Sequence, residues 1–221
     1  MDIERARFNM VEQQIRTWEV LDQGVLDLLY VVRREEFVPP SHRLLAFSDL
    51  EIPLTKNGDP SETMLAPKVE ARILQEVAPK PTDRVLVIGA GSGYLVALLA
   101  SCAREVVSVE INPLLKELAE NNLRRGGIQN ARVFAGDGSR GWTDTEAFDV
   151  IVITGSLPVL PDEFPNALRD GGRLFAVVGD APVMSARLIT RLPGDAFNSI
   201  DLFETVLPLL RNARQHKRFS L

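Results

Sequence analysis

Two carboxylates and three glycines are the residues of this chain whose types and spacing can do chemistry together. Glu110 ends the β-forming run EVVSVE, and Asp137 stands in AGDG, directly after a second such run, ARVFA. Both fall at the carboxyl ends of predicted strands, the side on which open α/β sheets bind their ligands. A carboxylate placed there can accept both hydroxyls of a ribose, and one beside it can accept the amino group of an adenine. Upstream, RVLVIGAGSGY supplies Gly89, Gly91 and Gly93 at spacing two, between an apolar run and the helix-forming LVALLA. Glycine in such a turn lets the backbone approach a ligand closely with its N–H groups pointing outward. Counting from Gly89, the sixth place is Tyr94, so the pattern is GxGxG and not the dinucleotide GxGxxG. Glu110 follows Gly89 by 21 positions, a spacing that fits NAD and S-adenosylmethionine equally.

Other chemistries find no support in the residues. His42 and His216 have no Cys, His or acid at ligand spacing, so no metal site is readable. The single Cys102, inside the helical reading of LVALLASCAR, is expected to fill core, and both histidines to lie at the surface. Enzymes that methylate base amino groups follow their fourth strand with Asn or Asp, two prolines and an aromatic, whereas here the stretch is ITGSLP. With a net charge of −5, and no basic run longer than a pair before the tail RNARQHKRF, the chain lacks a nucleic-acid footprint, and that tail reads as a solvated terminus. No apolar stretch approaches the roughly 18 residues of a membrane span, and the start MDIERARFNMVEQQIR has no apolar core of a signal peptide. A soluble cytoplasmic protein without a membrane partner is expected.

The elements that must position these residues divide at about residue 80. Residues 1–80 read as a helical cap carrying a loop, and 81–221 as an α/β unit, the two forming one compact body. In the cap, apolar residues at 21, 25, 28, 29 and 32 predict a helix ended by Pro39 and Pro40; 50–67 reads as loop; and Pro67 starts a helix buried through Val69, Ile73, Leu74 and Val77. Beyond it, strands at 84–88, 105–110, 131–135, 148–153 and 172–178 alternate with helices, the rhythm of a parallel sheet covered on both faces. Asn112-Pro113 predicts a capped helix with a stripe of Leu114, Leu115, Leu118, Ala119 and Leu123, stopped by Gly126-Gly127. ARLITRL and DLFETVLPLL add an antiparallel edge hairpin.

Taken in order, VLVIGAGSGYLVALLA, VVSVE, FAGDGSRGW, FDVIVITGS and LRDGGRLFAVVG resemble the S-adenosylmethionine-dependent methyltransferases, and more narrowly the protein-L-isoaspartate O-methyltransferase family. VLDLLYVVRREEFVPP and AFSDLEIPL extend the resemblance over nearly the entire chain. It implies a doubly wound, mostly parallel seven-stranded sheet of the Rossmann-like methyltransferase fold, with the N-terminal segment closing over the substrate. It also implies S-adenosyl-L-methionine as cofactor, and methyl transfer to the carboxylate of isoaspartyl residues in damaged proteins or peptides. The cofactor-binding residues it implies are Gly89, Gly91, Gly93, Glu110, Ile111, Asp137 and Gly138. Two departures stand out. The family's GQTISQP-like loop is here SETMLAP, so Thr63 and Pro67 are kept while Leu65 takes the serine position; Thr63 and Leu65 are the catalytic candidates. Val87 stands where the family has a Glu expected near the cofactor's amino-acid end, and Arg33 where Pro is common. The alternative is a diverged homologue that binds the cofactor but methylates another acceptor, or serves as a sensor without turnover; a nucleotide-dependent oxidoreductase is a weaker rival.

Overall fold

The computed structural model describes residues 2–55, 59 and 61–216. Its first two strands are only two residues each, β1 (Ile52–Pro53) and β2 (Thr63–Met64), paired antiparallel inside the segment expected to be loop. They form because Ile52 and Met64, partners in the register, both bury their side chains. Strands β3 (Arg84–Ile88), β4 (Glu105–Glu110) and β5 (Ala131–Ala135) keep the bounds the alternation predicted. By contrast, β6 (Phe148–Leu157) and β7 (Leu168–Asp180) run beyond 148–153 and 172–178. The expected edge hairpin is β8 (Val183–Leu192) and β9 (Ala196–Glu204), so the strand ends at Glu204 and leaves VLPLL outside it. The seven long strands form one sheet in the order β5-β4-β3-β6-β7-β8-β9. All pairings from β5 to β7 are parallel, and β8 runs antiparallel to both its neighbours.

Both faces of the sheet are buried, as the near-continuous apolar runs require. Along β3 the side chains alternate: Val85 and Val87 enter one apolar cluster, Leu86 and Ile88 the other. The first cluster is shared with the N-terminal segment, through Met10 and Ile15 behind α1 (Ile3–Asn9), Leu26 and Leu29 of α2 (Gln23–Val31), and Ile73 and Leu74 of α3 (Pro67–Val77). On this face also lie α4 (Tyr94–Ala100) and α5 (Pro113–Arg125), while the four-residue α6 (Glu163–Asn166) sends Phe164 into the second cluster. Because α4 ends at Ala100, Cys102 lies in the turn beyond it and is half-buried.

Two predicted stripes are shifted. Leu21 is exposed because Asp22 caps α2, its carboxylate accepting from Val25 N–H at 3.1 Å, so Leu21 precedes the helix and Leu26 is buried instead. Leu114 is exposed at the first turn of α5, whose buried line is Leu115, Ala119, Asn122 and Leu123. Asn122 belongs in that line because its amide donates to the carbonyls of Phe37 and Ser92, at 3.1 and 2.8 Å, tying the helix to the N-terminal segment and the glycine turn. The predicted cap of α5 is present, with Asn112 Oδ1 accepting from Leu114 N–H at 2.9 Å and Gly127 left-handed past the end.

Candidate functional site

The glycine turn is left-handed at all three positions, with φ of +90° at Gly89, +53° at Gly91 and +82° at Gly93. Gly89 N–H donates to Val109 O at 2.8 Å, so the β3–β4 ladder continues one residue before the turn opens. A Cβ at Gly89 would overlap the hydroxyl of Thr154. That hydroxyl is brought there by an irregularity in β6: the three residues between Val152 and Ser156 face only Ala176 on β7, and the bulge swings Thr154 over the turn. Thr154 Oγ1 sits 2.9 and 3.0 Å from the carbonyls of Ile88 and Gly89. Gly93 is placed differently from the other two. It does not line the cleft, and a Cβ on it would meet the Ala119 backbone of α5 at 3.2 Å, so its part is close packing of the turn on that helix.

The turn opens on a cleft, and Gly89, Gly91, Glu110, Ile111, Asp137 and Gly138 all line it. Glu110 is buried. Its Oε2 accepts from Gly91 N–H at 3.0 Å and its Oε1 from Asn112 N–H at 3.0 Å, so this carboxylate fixes the turn as well as facing the cleft. Each oxygen keeps a lone pair for a ligand hydroxyl. Asp137 is exposed, with Oδ1 accepting from Ser139 N–H at 2.9 Å and Oδ2 from the Asn212 amide at 2.8 Å. Partial burial pushes its pKa up, but these hydrogen bonds outweigh it and hold the carboxyl below its ordinary value. The group is therefore an ionised acceptor at neutral pH, and what it adds to stability is lost only as pH falls through its lowered pKa.

The segment around β2 also lines the cleft. Thr63 lines the cleft but donates its hydroxyl to Glu51 Oε2 at 2.9 Å. Leu65 also lines it, 6% exposed, with its side chain in the first apolar cluster. Its carbonyl accepts from Arg34 Nη2 at 2.6 Å. Arg34 is itself fully buried, paired with Glu70 of α3, donating to Ala46 O at 3.1 Å and lying 5.2 Å above the Tyr94 ring. Burial pulls its pKa down to about 10, which still leaves it cationic. Next to it, Glu35 pairs with Arg7 of α1, so REE contributes to two buried ion pairs, of which Arg34–Glu70 holds the Leu65 carbonyl. Val87 does not reach the cleft. It is fully buried in the first cluster, with its neighbour Ile88 facing the ligand side.

Part of the expected solvated tail is packed into the site. Ser156 pins the chain after β9, donating N–H to Pro208 O and accepting from Leu210 N–H, each at 2.9 Å. This brings Pro208 to Arg211 to the cleft, and Arg211 donates to Glu62 Oε1 at 2.6 Å and to Asp59 Oδ2 at 3.3 Å. Glu62 also accepts from the Asn112 amide at 2.6 Å. Thr154, Glu62, Arg211 and Asn212 were missed in the sequence. Only Glu62, an acid inside the singled-out SETMLAP, had a local signal. Residues 217–221, the end of the tail, lie outside the described residues, and His42, expected at the surface, is half-buried.

Left-handed glycines in the turn, a buried acceptor carboxylate at one strand end and an ionised one after the next fit the hydroxyl and amino donors of an adenosine-bearing ligand. Among the described residues, no cluster of three or more His, Cys, Asp or Glu is placed to hold a metal ion. Residues 5–201 match the family model described as Protein-L-isoaspartate(D-aspartate) O-methyltransferase. A protein-L-isoaspartate O-methyltransferase of Methanospirillum hungatei is 35% identical over 185 residues, covering 84% of each chain. Among solved structures, a protein-L-isoaspartate O-methyltransferase superposes with a TM-score of 0.77 at 24% identity, over 94% of this chain and 65% of that one. A Plasmodium falciparum structure described as a putative protein-L-isoaspartate O-methyltransferase, in complex with S-adenosyl-L-homocysteine, superposes with a TM-score of 0.75 at 19% identity, over 92% and 97%.

Proposed function

The chain belongs to the Protein-L-isoaspartate(D-aspartate) O-methyltransferase family of S-adenosylmethionine-dependent methyltransferases, and from that premise we propose that it methylates the free carboxylate of isoaspartyl residues in proteins and peptides. The observation that carries the reading is one cleft lined by Glu110 and Asp137 together with Glu62, Thr63 and Leu65 of the segment around β2. S-adenosylmethionine supplies an electrophilic methyl: a carboxylate lone pair forms the O–C bond as the C–S bond breaks and its electron pair returns to sulfur, and no proton moves. Since a carboxylate is already ionised at neutral pH, the chain needs no general base. Its residues align and desolvate. Glu110 and Asp137 accept hydrogen bonds from ribose and adenine, the glycine turn admits the ligand against the backbone, and Leu65 keeps the acceptor side dry.

Either S-adenosylmethionine or S-adenosylhomocysteine should raise the melting temperature, while NAD should not. At a hundredfold excess over Kd the stabilisation is about 2.7 kcal/mol. Asp137→Ala should weaken that shift and leave the unliganded protein folded, because the side chain is an exposed contact and not core. A shift seen with NAD alone would sink the proposal.

Turnover is tested by transfer of radiolabelled methyl to an isoaspartyl peptide beside an aspartyl control. With the loop frame held by Arg34, Leu65→Ser should raise the rate about tenfold, equivalent to about 1.4 kcal/mol for one added orienting hydrogen bond. Leu65 also favours a second reading, a cofactor-binding sensor, on which both proteins bind S-adenosylmethionine and neither transfers methyl. If the native protein instead methylates another carboxylate and Leu65→Ser impairs it, Leu65 sets acceptor specificity through an apolar pocket.

A further inference from the structure

We propose that Arg211 anchors the acceptor carboxylate, an inference that rests on the carboxyl-methylating reading above. Three acids line the cleft, Glu62, Glu110 and Asp137, and among the described residues Arg211 is the only cation lining it. An anionic acceptor entering past those carboxylates meets repulsion from each, and a guanidinium is the group whose planar fork matches a carboxylate. The backbone on which Arg211 rides is held in place: Ser156 binds Leu207, Pro208 and Leu210 through its hydroxyl, N–H and carbonyl, each at 2.9 Å. The guanidinium reaches Glu62 and Asp59, with both bonds made through Nη2 alone. Among the described residues, its Nε and Nη1 donate to nothing.

Glu62 and Asp59 show what that guanidinium binds: carboxylates. Arg211 is 39% exposed but Glu62 only 8%, so the exchange depends on Glu62 keeping other donors: the Asn112 amide at 2.6 Å and the Thr55 hydroxyl at 3.2 Å still bind it when the guanidinium turns to another carboxylate. Methylation then removes the charge that Arg211 holds. The neutral ester loses its anchor and Glu62 takes the guanidinium back, a route to product release built from residues of this chain.

The test is calorimetric binding of a peptide with a single isoaspartyl residue, and of its methyl ester, to the protein saturated with S-adenosylhomocysteine. Native protein should prefer the free carboxylate over the ester. Arg211→Met should weaken binding of the carboxylate peptide about tenfold and leave the ester and S-adenosylhomocysteine affinities unchanged, and Arg211→Lys should restore most of the loss. Glu62→Gln, which breaks the ion pair but keeps the cation, should leave carboxylate binding equal or tighter. In turnover, Arg211→Met should raise KM far more than it lowers kcat. Equal weakening by Arg211→Met and Glu62→Gln would show a structural clamp only and overturn the proposal, as would an Arg211→Met protein that binds both peptides like the native one, or a native protein that binds neither. Carboxylate binding that depends on Arg211 without methyl transfer would leave this inference standing and remove the catalytic reading. Methyl transfer unaffected at Arg211 would do the reverse.

Discussion

Arg34→Met should lower the free energy of unfolding by about 3–5 kcal/mol, measured by urea denaturation, because it strands Glu70 as an uncompensated buried carboxylate. The carbonyls of Leu65 and Ala46 lose their donor in the same step, each a buried acceptor that water does not reach freely. Removing both charges in Arg34→Met/Glu70→Met should recover a large part of the stability, since a buried pair replaced by apolar groups of similar size is often neutral. It should not recover turnover to the same degree. The Leu65 carbonyl stays unanchored in the double variant, and the cleft-lining segment around it is free to shift. Parallel recovery of stability and methyl transfer would show that Arg34 supports the fold alone and has no hold on the loop.

Val87→Glu, which restores the residue type that the family resemblance leads one to expect, should destabilise the protein by several kcal/mol and leave S-adenosylmethionine affinity no tighter. Val87 is fully buried in the interior strand β3, between Ser108 of β4 and Val152 of β6. Ser108 Oγ lies 3.2 Å from the Val87 carbonyl, so its single hydroxyl proton already has an acceptor. A carboxylate there would be unpaired, and burial would raise its pKa above the roughly 4.3 of an unfolded Glu. The native state then binds more protons than the unfolded state, so the destabilisation grows as pH rises above about 4.3 and is smallest in acid. Unfolding measured at both ends of that range checks the sign. A variant that is equally stable and binds the cofactor more tightly would show that the position opens to the ligand.

The placement of the two acids was legible because it depends on local chemistry. Alternating β-formers define where β4 and β5 end, and a residue at a parallel strand's carboxyl end faces the ligand crevice whatever the rest of the chain does. That is why Glu110 and Asp137 line one cleft with Gly89 and Gly91. The α5 cap was equally local, fixed by Asn112, Pro113 and the glycines after it. Where periodicity alone was used, it slipped: Leu21 and Leu114 sit at helix starts, and a hydrophobic stripe does not say which of its members precedes the cap or faces outward on the first turn.

By itself, then, the sequence determined the parallel strands, the glycine turn, the two acids beside it and the family resemblance carried by those motifs. Only the tertiary structure decided which residues from the N-terminal segment and the tail reach the cleft. Arg34 reads in REEFVPP as one more charged residue, and its burial depends on Leu65 and Glu70, 31 and 36 positions away. Arg211 reads as part of a basic tail, and its place in the cleft depends on Ser156 receiving the chain after β9 and on Glu62, 149 positions earlier. Periodicity reports which face of an element is buried. It carries no record of which distant charge will meet another, because that is settled only when the sheet closes and brings both ends of the chain to the same strand ends.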